Sequence, residues 1–170
     1  MTPRVYLPGE TAIHDWRHPL VPGLSKLQWQ YHFIELPTFT FVGPFFVPGP
    51  RLCSHSTWKQ GISCSKDTEC ELGDTDLEMA NKNRRGLAKA DLVMAHISGP
   101  ISTQTMNDLD FALAQDKRVV LSITKGASEL GISDICSRAH RVHQTEEQGL
   151  KSDFEFEVLD IRAALLYGDA

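Results

Sequence analysis

The chain has 170 residues, of which 41% are hydrophobic and 23% charged, the make-up of one ordinary globular domain rather than a disordered chain. Its net charge of −5, with no run of Lys or Arg that forms a basic stripe, excludes a nucleic-acid polymer as the expected partner, since backbone binding needs such a stripe. No apolar run approaches the roughly 20 residues that cross a bilayer. The N-terminal MTPRVYLPGE turns polar too early for a signal peptide, so a cytoplasmic protein without membrane contact is expected.

In chain order, residues 4–7 read as a short strand closed by Pro8-Gly9. The polar and aromatic stretch HDWRHPLVPG is a loop, and residues 24–36 are expected to form a helix running into another loop. TFTFVGPFF, residues 38–46, is rich in β-formers and should be a strand ending near Val42, before Gly43-Pro44. Residues 47–73 carry no period, which suggests a lid or a binding loop. This segment holds Cys53, His55, Cys64 and Cys70. Their spacing matches neither a zinc knuckle nor a redox CxxC, so reduced thiols and no metal are the expectation, for Cys136 as well.

A helix is predicted over residues 74–89, with Leu77, Ala80, Asn83 and Leu87 on one face. DLVMAHI is continuously apolar, as a strand buried on both faces should be. After a turn over residues 98–103, a helix over 104–115 turns Met106, Leu109 and Ala112 or Leu113 inward. RVVLSI is a second buried strand. Residues 129–140 form a candidate helix, FEFEVL (154–159) alternates as a strand should, and residues 161–167 close the chain as a helix. Strands alternating with helices predict an α/β three-layer sandwich with a short, mostly parallel sheet, Rossmann-like or flavodoxin-like. Ligands of such sheets sit beyond the carboxyl ends of the strands, where the loops after Leu7, Val42 and Ile97 should meet.

The informative stretch runs from Ala90 to Leu121. Asp108 is expected in the first turn of its helix, where the helix dipole and free N–H groups favour a carboxylate. Opening on a cleft, it is a candidate nucleophile able to attack the anomeric carbon of a sugar and form a glycosyl ester. Thr105-x-x-Asp108 fits a capping box equally, in which the acid only satisfies a backbone N–H. Asp110 lies on another side of the helix and reads as a solvated charge.

Ala90–Leu121 resembles the signature of the nucleoside 2-deoxyribosyltransferase family: a buried strand, an acidic turn, Gly-Thr-x-x-Glu-(Ile/Leu)-Gly-Tyr-Ala, then a Gly-Lys-Pro-Val-like return strand. Here the helix reads Gln104-Thr105-Met106-Asn107-Asp108-Leu109-Asp110-Phe111-Ala112, followed by Asp116-Lys117-Arg118-Val119. VYLPGE, DWRHPLVPGL and VGPFF resemble the opening strand, base-pocket loop and second strand of one branch of the family. With residues 76–97, the likeness covers about two thirds of the chain.

The resemblance implies a nucleoside or nucleotide as ligand, Asp108 in the nucleophile's place, and no cofactor, because the carboxylate itself carries the covalent step. It also implies a homo-oligomer, dimer or higher, with Phe154, Phe156 and Tyr167 as hints near the C-terminus. Asn83 falls where the family has an assisting Asp, and it can hydrogen-bond but cannot act as a general base. The family's Glu is shortened to Asp108, its signature Gly is Gln104, and its acidic turn is replaced by Ser98-Gly99-Pro100-Ile101-Ser102. The aromatic expected near Gly131 is missing.

The candidate ligand-binding set is Gly9, Asp15, Trp16, Arg17, His18, Gly43, Pro44, Phe45, Ser98, Gln104 and Thr105. Trp16 would stack on a base, Arg17 would suit a phosphate, and His18 would act as an acid or base. Each is equally an ordinary loop residue. Arg84 and Arg85 are read as a solvated helix face. Two functions compete: cleavage or transfer of an N-glycosidic bond through Asp108, or a catalytically inactive nucleotide-binding or signalling module on the same fold. A third, an interaction domain using residues 47–73, rests on that segment alone.

Overall fold

A computed structural model describes residues 1–9, 15–24, 33–45, 76–124, 132–146 and 149–168. The segment 47–73 with Cys53, His55, Cys64 and Cys70 lies outside them, as do Phe46, Gly131 and most of the helix expected over 24–36. The strands are β1 (Arg4–Tyr6), β2 (Ile34–Glu35), β3 (Thr40–Gly43), β4 (Leu92–Ile97), β5 (Arg118–Thr124) and β6 (Arg141–Thr145). The helices are α1 (Asp76–Lys89), α2 (Thr103–Ala114), α3 (Ser133–Arg138) and α4 (Leu150–Tyr167).

The six strands among the described residues form one sheet in the order β2-β3-β1-β4-β5-β6. Only β2 runs antiparallel to its neighbour, and the other pairs are parallel. The architecture is a three-layer α/β sandwich around a mostly parallel sheet. From β1 the chain moves outward to β3, and from β4 it moves the other way to β5 and β6. The strand order therefore reverses between β1 and β4, the switch point at which such sheets take their ligands.

The core splits by sheet face. Tyr6, Val93, Ala95, Val119, Leu121 and Ile123 meet Leu87, Leu109, Ala112 and Ile135 of α1, α2 and α3. Val5, Leu92, Met94 and Val120 point the other way, to Phe154, Val158 and Ile161 of α4 and to Leu20 and Leu24. β4 and β5 are apolar at nearly every position because both faces are covered.

Several sequence expectations are corrected. Residues 154–159 are not a strand but the middle of α4. The buried positions Phe154, Glu157, Val158 and Ile161 follow helical spacing, and Phe156, which suggested alternation, is 52% exposed. The last strand is instead RVHQT, whose polar residues hid it. Glu157 is fully buried because that strand and its neighbour supply its partners: Arg141 Nη1 at 2.7 Å, His143 Nε2 at 2.8 Å and Arg118 Nη2 at 3.2 Å. Residues 34–35, expected at the end of a helix, pair with β3 as a strand. Ala80, expected inward on α1, is exposed.

α1 lies so close to β3 that a Cβ on Gly86 would stand 2.0 Å from the carbonyl oxygen of Val42. Gly86→Ala should therefore push α1 off the sheet and cost about 1–3 kcal/mol. Urea titration checks this: the midpoint should fall while the slope stays unchanged.

Candidate active site

α2 begins beyond the carboxyl end of β4. Ser102 caps it, accepting the Thr105 N–H at 3.2 Å, and its hydroxyl also meets Thr105 Oγ1 at 3.1 Å. The cap is thus Ser102, not Thr105, so Asp108 stands in the second turn and does not act as a capping acid. The expected first-turn placement is corrected by this shift, because the chain enters helical geometry already at Thr103.

Asp108 is half-buried and faces β1. Tyr6 Oη donates to its Oδ2 at 3.1 Å, and Gln104 Nε2 donates to its Oδ1 at 2.9 Å, from one helical turn earlier. Burial holds the carboxyl above its usual range, and the two donors pull it partly back. The Tyr6 phenol is pushed well above its ordinary value, by burial first and then by the Asp108 charge, so it stays protonated. Tyr6 escapes sequence reasoning because it is 102 residues from its partner. The available signal was an aromatic with a polar tip at the end of a buried strand.

Gly43 has φ +134°, and a Cβ there would lie 2.8 Å from the Tyr6 ring. A side chain would displace Tyr6 from Asp108, so Gly43 shapes the site by having none. Pro44 and Phe45 follow it and are buried. Asn83 holds this turn: its Oδ1 accepts the Phe45 N–H at 2.7 Å, and its Nδ2 donates to Phe45 O at 2.7 Å. Both ends of the Asn83 amide are engaged with backbone, which makes it a clamp on the β3 turn in this structure.

The loop after β1 departs from expectation more sharply. Arg17 does not reach outward for a phosphate, because it is fully buried. Its Nη2 and Nε meet the two oxygens of Asp15 at 2.7 and 2.8 Å, and its Nη1 donates to Leu7 O and Gly9 O at 3.1 and 3.2 Å. The pair ties the loop to the end of β1, and Asp15 is correspondingly 3% exposed. Trp16 is half-buried over Gly9, with its ring 5.7 Å from that of His96. His18 is half-buried, and burial lowers its pKa against the opposing pull of Asp15.

Ser98 and Gln104 are exposed and Thr105 is buried. Arg84 and Arg85 are exposed, Arg84 lying 5.5 Å from the Phe111 ring centre. Asp110 is exposed and pairs with Arg138. The structure thus brings Asp108, Gln104, Tyr6 and Gly43 together on the α1 and α2 side of the switch point. Trp16 and His96 meet on the α4 side. A groove of about 370 Å³ between Leu20, Leu36, Phe39, Phe154 and Leu159 touches none of these residues.

No helix among the described residues is long and apolar enough to cross a membrane. The chain matches no protein-family model and no curated protein.

Proposed function

We propose that the protein cleaves or transfers the N-glycosidic bond of a nucleoside or nucleoside 5′-monophosphate, with the Asp108 carboxylate as nucleophile. One observation carries this reading: a half-buried carboxylate at the switch point, with each oxygen aimed by its own donor. The resemblance of residues 90–121 to nucleoside 2-deoxyribosyltransferases supports it. An Asp108 oxygen attacks the anomeric carbon, the C–N bond breaks, and its electron pair leaves on the base nitrogen, which takes up a proton. Water or a second base then attacks the same carbon and releases the carboxylate. Incubation with a panel of nucleosides and 5′-monophosphates should release free base. During turnover the intact protein should gain the mass of one pentosyl group. Release from none of them by folded protein ends the proposal.

The nucleophile must be ionised, so activity should rise with pH through the raised Asp108 pKa. Tyr6→Phe removes a donor that lowers that pKa, so the acid limb of the pH–rate profile should move to higher pH. The lost charge-assisted hydrogen bond should also cut kcat/KM about ten- to hundredfold at neutral pH. A profile unchanged in both respects would detach Tyr6 from the reaction.

The second reading, a nucleotide-binding module without catalysis, is favoured by the engagement of Asn83 at both amide ends, which leaves no acid or base there. Nucleotide binding without turnover, unchanged in Asp108→Asn, would establish it. Self-association is part of the proposal too, supported by Phe156, Leu159, Leu166 and Tyr167 exposed on α4. Light scattering after gel filtration reads it directly.

A further inference from the structure

The two oxygens of Asp108 are held differently. Oδ2 meets the hydroxyl of the buried Tyr6 at 3.1 Å, whereas Oδ1 accepts from the exposed Gln104 amide at 2.9 Å. The chain leading to Gln104 is open to solvent. Ser98, Gly99, Pro100 and Thr103 are exposed, and a Cβ on Gly99 would meet nothing within 4 Å. A molecule arriving from solvent therefore reaches Asp108 from the Gln104 side, and Oδ1 is the oxygen it meets first. An ionised carboxylate offers about four lone-pair sites, so Oδ1 keeps one for attack while Gln104 holds the other.

A carboxylate has no proton to give, so Gln104 must present Nε2 to it and turn Oε1 elsewhere. Oε1 accepts from no other described residue. The oxygen and nitrogen of one carboxamide are about 2.3 Å apart, which keeps Oε1 within roughly 5 Å of Oδ1. Gln104 thus sets a hydrogen-bond acceptor beside the attacking oxygen, on the open side.

The stereochemistry of a nucleoside decides what that acceptor meets. The base leaves from one face of the sugar ring, so Oδ1 comes to the anomeric carbon on the opposite face. The ring oxygen beside that carbon carries no proton. The other neighbour, C2′, carries a hydroxyl on the attacked face only in a ribonucleoside. An arabinonucleoside has it on the face of the base, and a 2′-deoxynucleoside has none. We infer that Gln104 is a specificity-determining residue whose Oε1 accepts a hydrogen bond from the 2′-hydroxyl, so that the site selects ribonucleosides over their 2′-deoxy and arabino counterparts. This assignment rests on the proposed N-glycosidic reading, in which Asp108 attacks the anomeric carbon. Hydrogen bonds to that hydroxyl strengthen as charge develops on the sugar, so the preference belongs to kcat/KM. The family signature that residues 104–112 resemble has Gly in the place of Gln104, with no side-chain acceptor to offer, so the selection belongs to this chain.

Adenine, guanine, cytosine and uracil, each on ribose, 2′-deoxyribose and arabinose, test it by release of free base from the full-length protein. The ribonucleoside should be turned over with a kcat/KM at least about tenfold above both analogues, since a site built to hydrogen-bond a hydroxyl rejects a substrate that lacks it. Gln104→Met, similar in length, should bring that ratio to within about twofold. Gln104→Lys keeps a donor for Asp108 but has no acceptor. It should lose the ratio as well, while turning over 2′-deoxynucleosides faster than Gln104→Met does. Gln104 is exposed, so thermal melts of both variants should match the wild type. Base release with 2′-deoxynucleosides equal or preferred, or a ribose preference that survives in either variant, overturns the Gln104 assignment and leaves the N-glycosidic reading. If no base is released, calorimetric binding of the same compounds decides. A ribose preference in binding that Gln104→Met erases keeps the 2′-hydroxyl contact and removes the N-glycosidic reading. Equal binding of the three sugars, or binding of none, removes both.

Discussion

Asp108→Asn should abolish base release while leaving a folded and more heat-resistant protein. Loss of a nucleophile costs up to about a millionfold elsewhere, so a fall of at least roughly a thousandfold is expected here. The same change should stabilise the fold at neutral pH. Folding raises the Asp108 pKa, mainly through burial, so its protonated form stabilises the fold in acid. That contribution is complete below the unfolded carboxylate value of about 3.9 and disappears as pH climbs through the raised folded value. Asparagine stays neutral throughout, and Tyr6 and Gln104 can both turn to meet its amide. Thermal melts of both proteins should therefore separate at pH 7, the variant melting higher, and converge in acid. A less stable variant at pH 7 would mean that the carboxylate is a structural anchor.

Arg17→Met should be the most destabilising single change in the site region. It leaves the Asp15 carboxylate buried with its guanidinium partner gone, and it releases two carbonyls at the end of β1. Breaking one side of a buried pair costs about 3–5 kcal/mol, which for a chain of this size lowers Tm by about 6–20 °C. Arg17→Lys should rescue only part of this, because an ammonium cannot make the forked contact. The double variant Asp15→Leu/Arg17→Met should lose less than the sum of the two single changes, since no buried charge is then left alone. If Arg17→Met melts with the wild type, the loop is held by something else.

The residues of the candidate site and their electrostatics differ in how far they can be read from the chain. Asp108, Gln104 and Gly43 stand out in sequence because they sit in or beside strongly patterned segments. Tyr6 and His96 do not, since each resembles an ordinary residue of a buried strand until its partner arrives from another element. His96 meets Ser122, and through it Thr145 and Asp153, separated from it in sequence but neighbours across the ladder and α4. The outward role expected of Arg17 fails for the same reason: nothing local reveals that Leu7 and Gly9 will offer it their carbonyls.

The sequence by itself determined the α/β class, the buried strands β4 and β5, the helix between them and the acid it carries. Those features follow from local burial pattern, because a strand covered on both faces must be apolar throughout, while a helix with one covered face must repeat every three to four residues. Only the tertiary structure decided that residues 154–159 coil into α4, that the polar RVHQT pairs as β6, that Ser102 starts α2, and that Arg17 turns inward. In the clearest of these cases charged groups were interred beside partners that folding brings to them, Glu157 beside Arg118 and Arg141, Arg17 beside Asp15 and the carbonyls at the end of β1. Such pairings compensate the cost of removing a charge from water, and that compensation exists only once the sheet has brought the partners together.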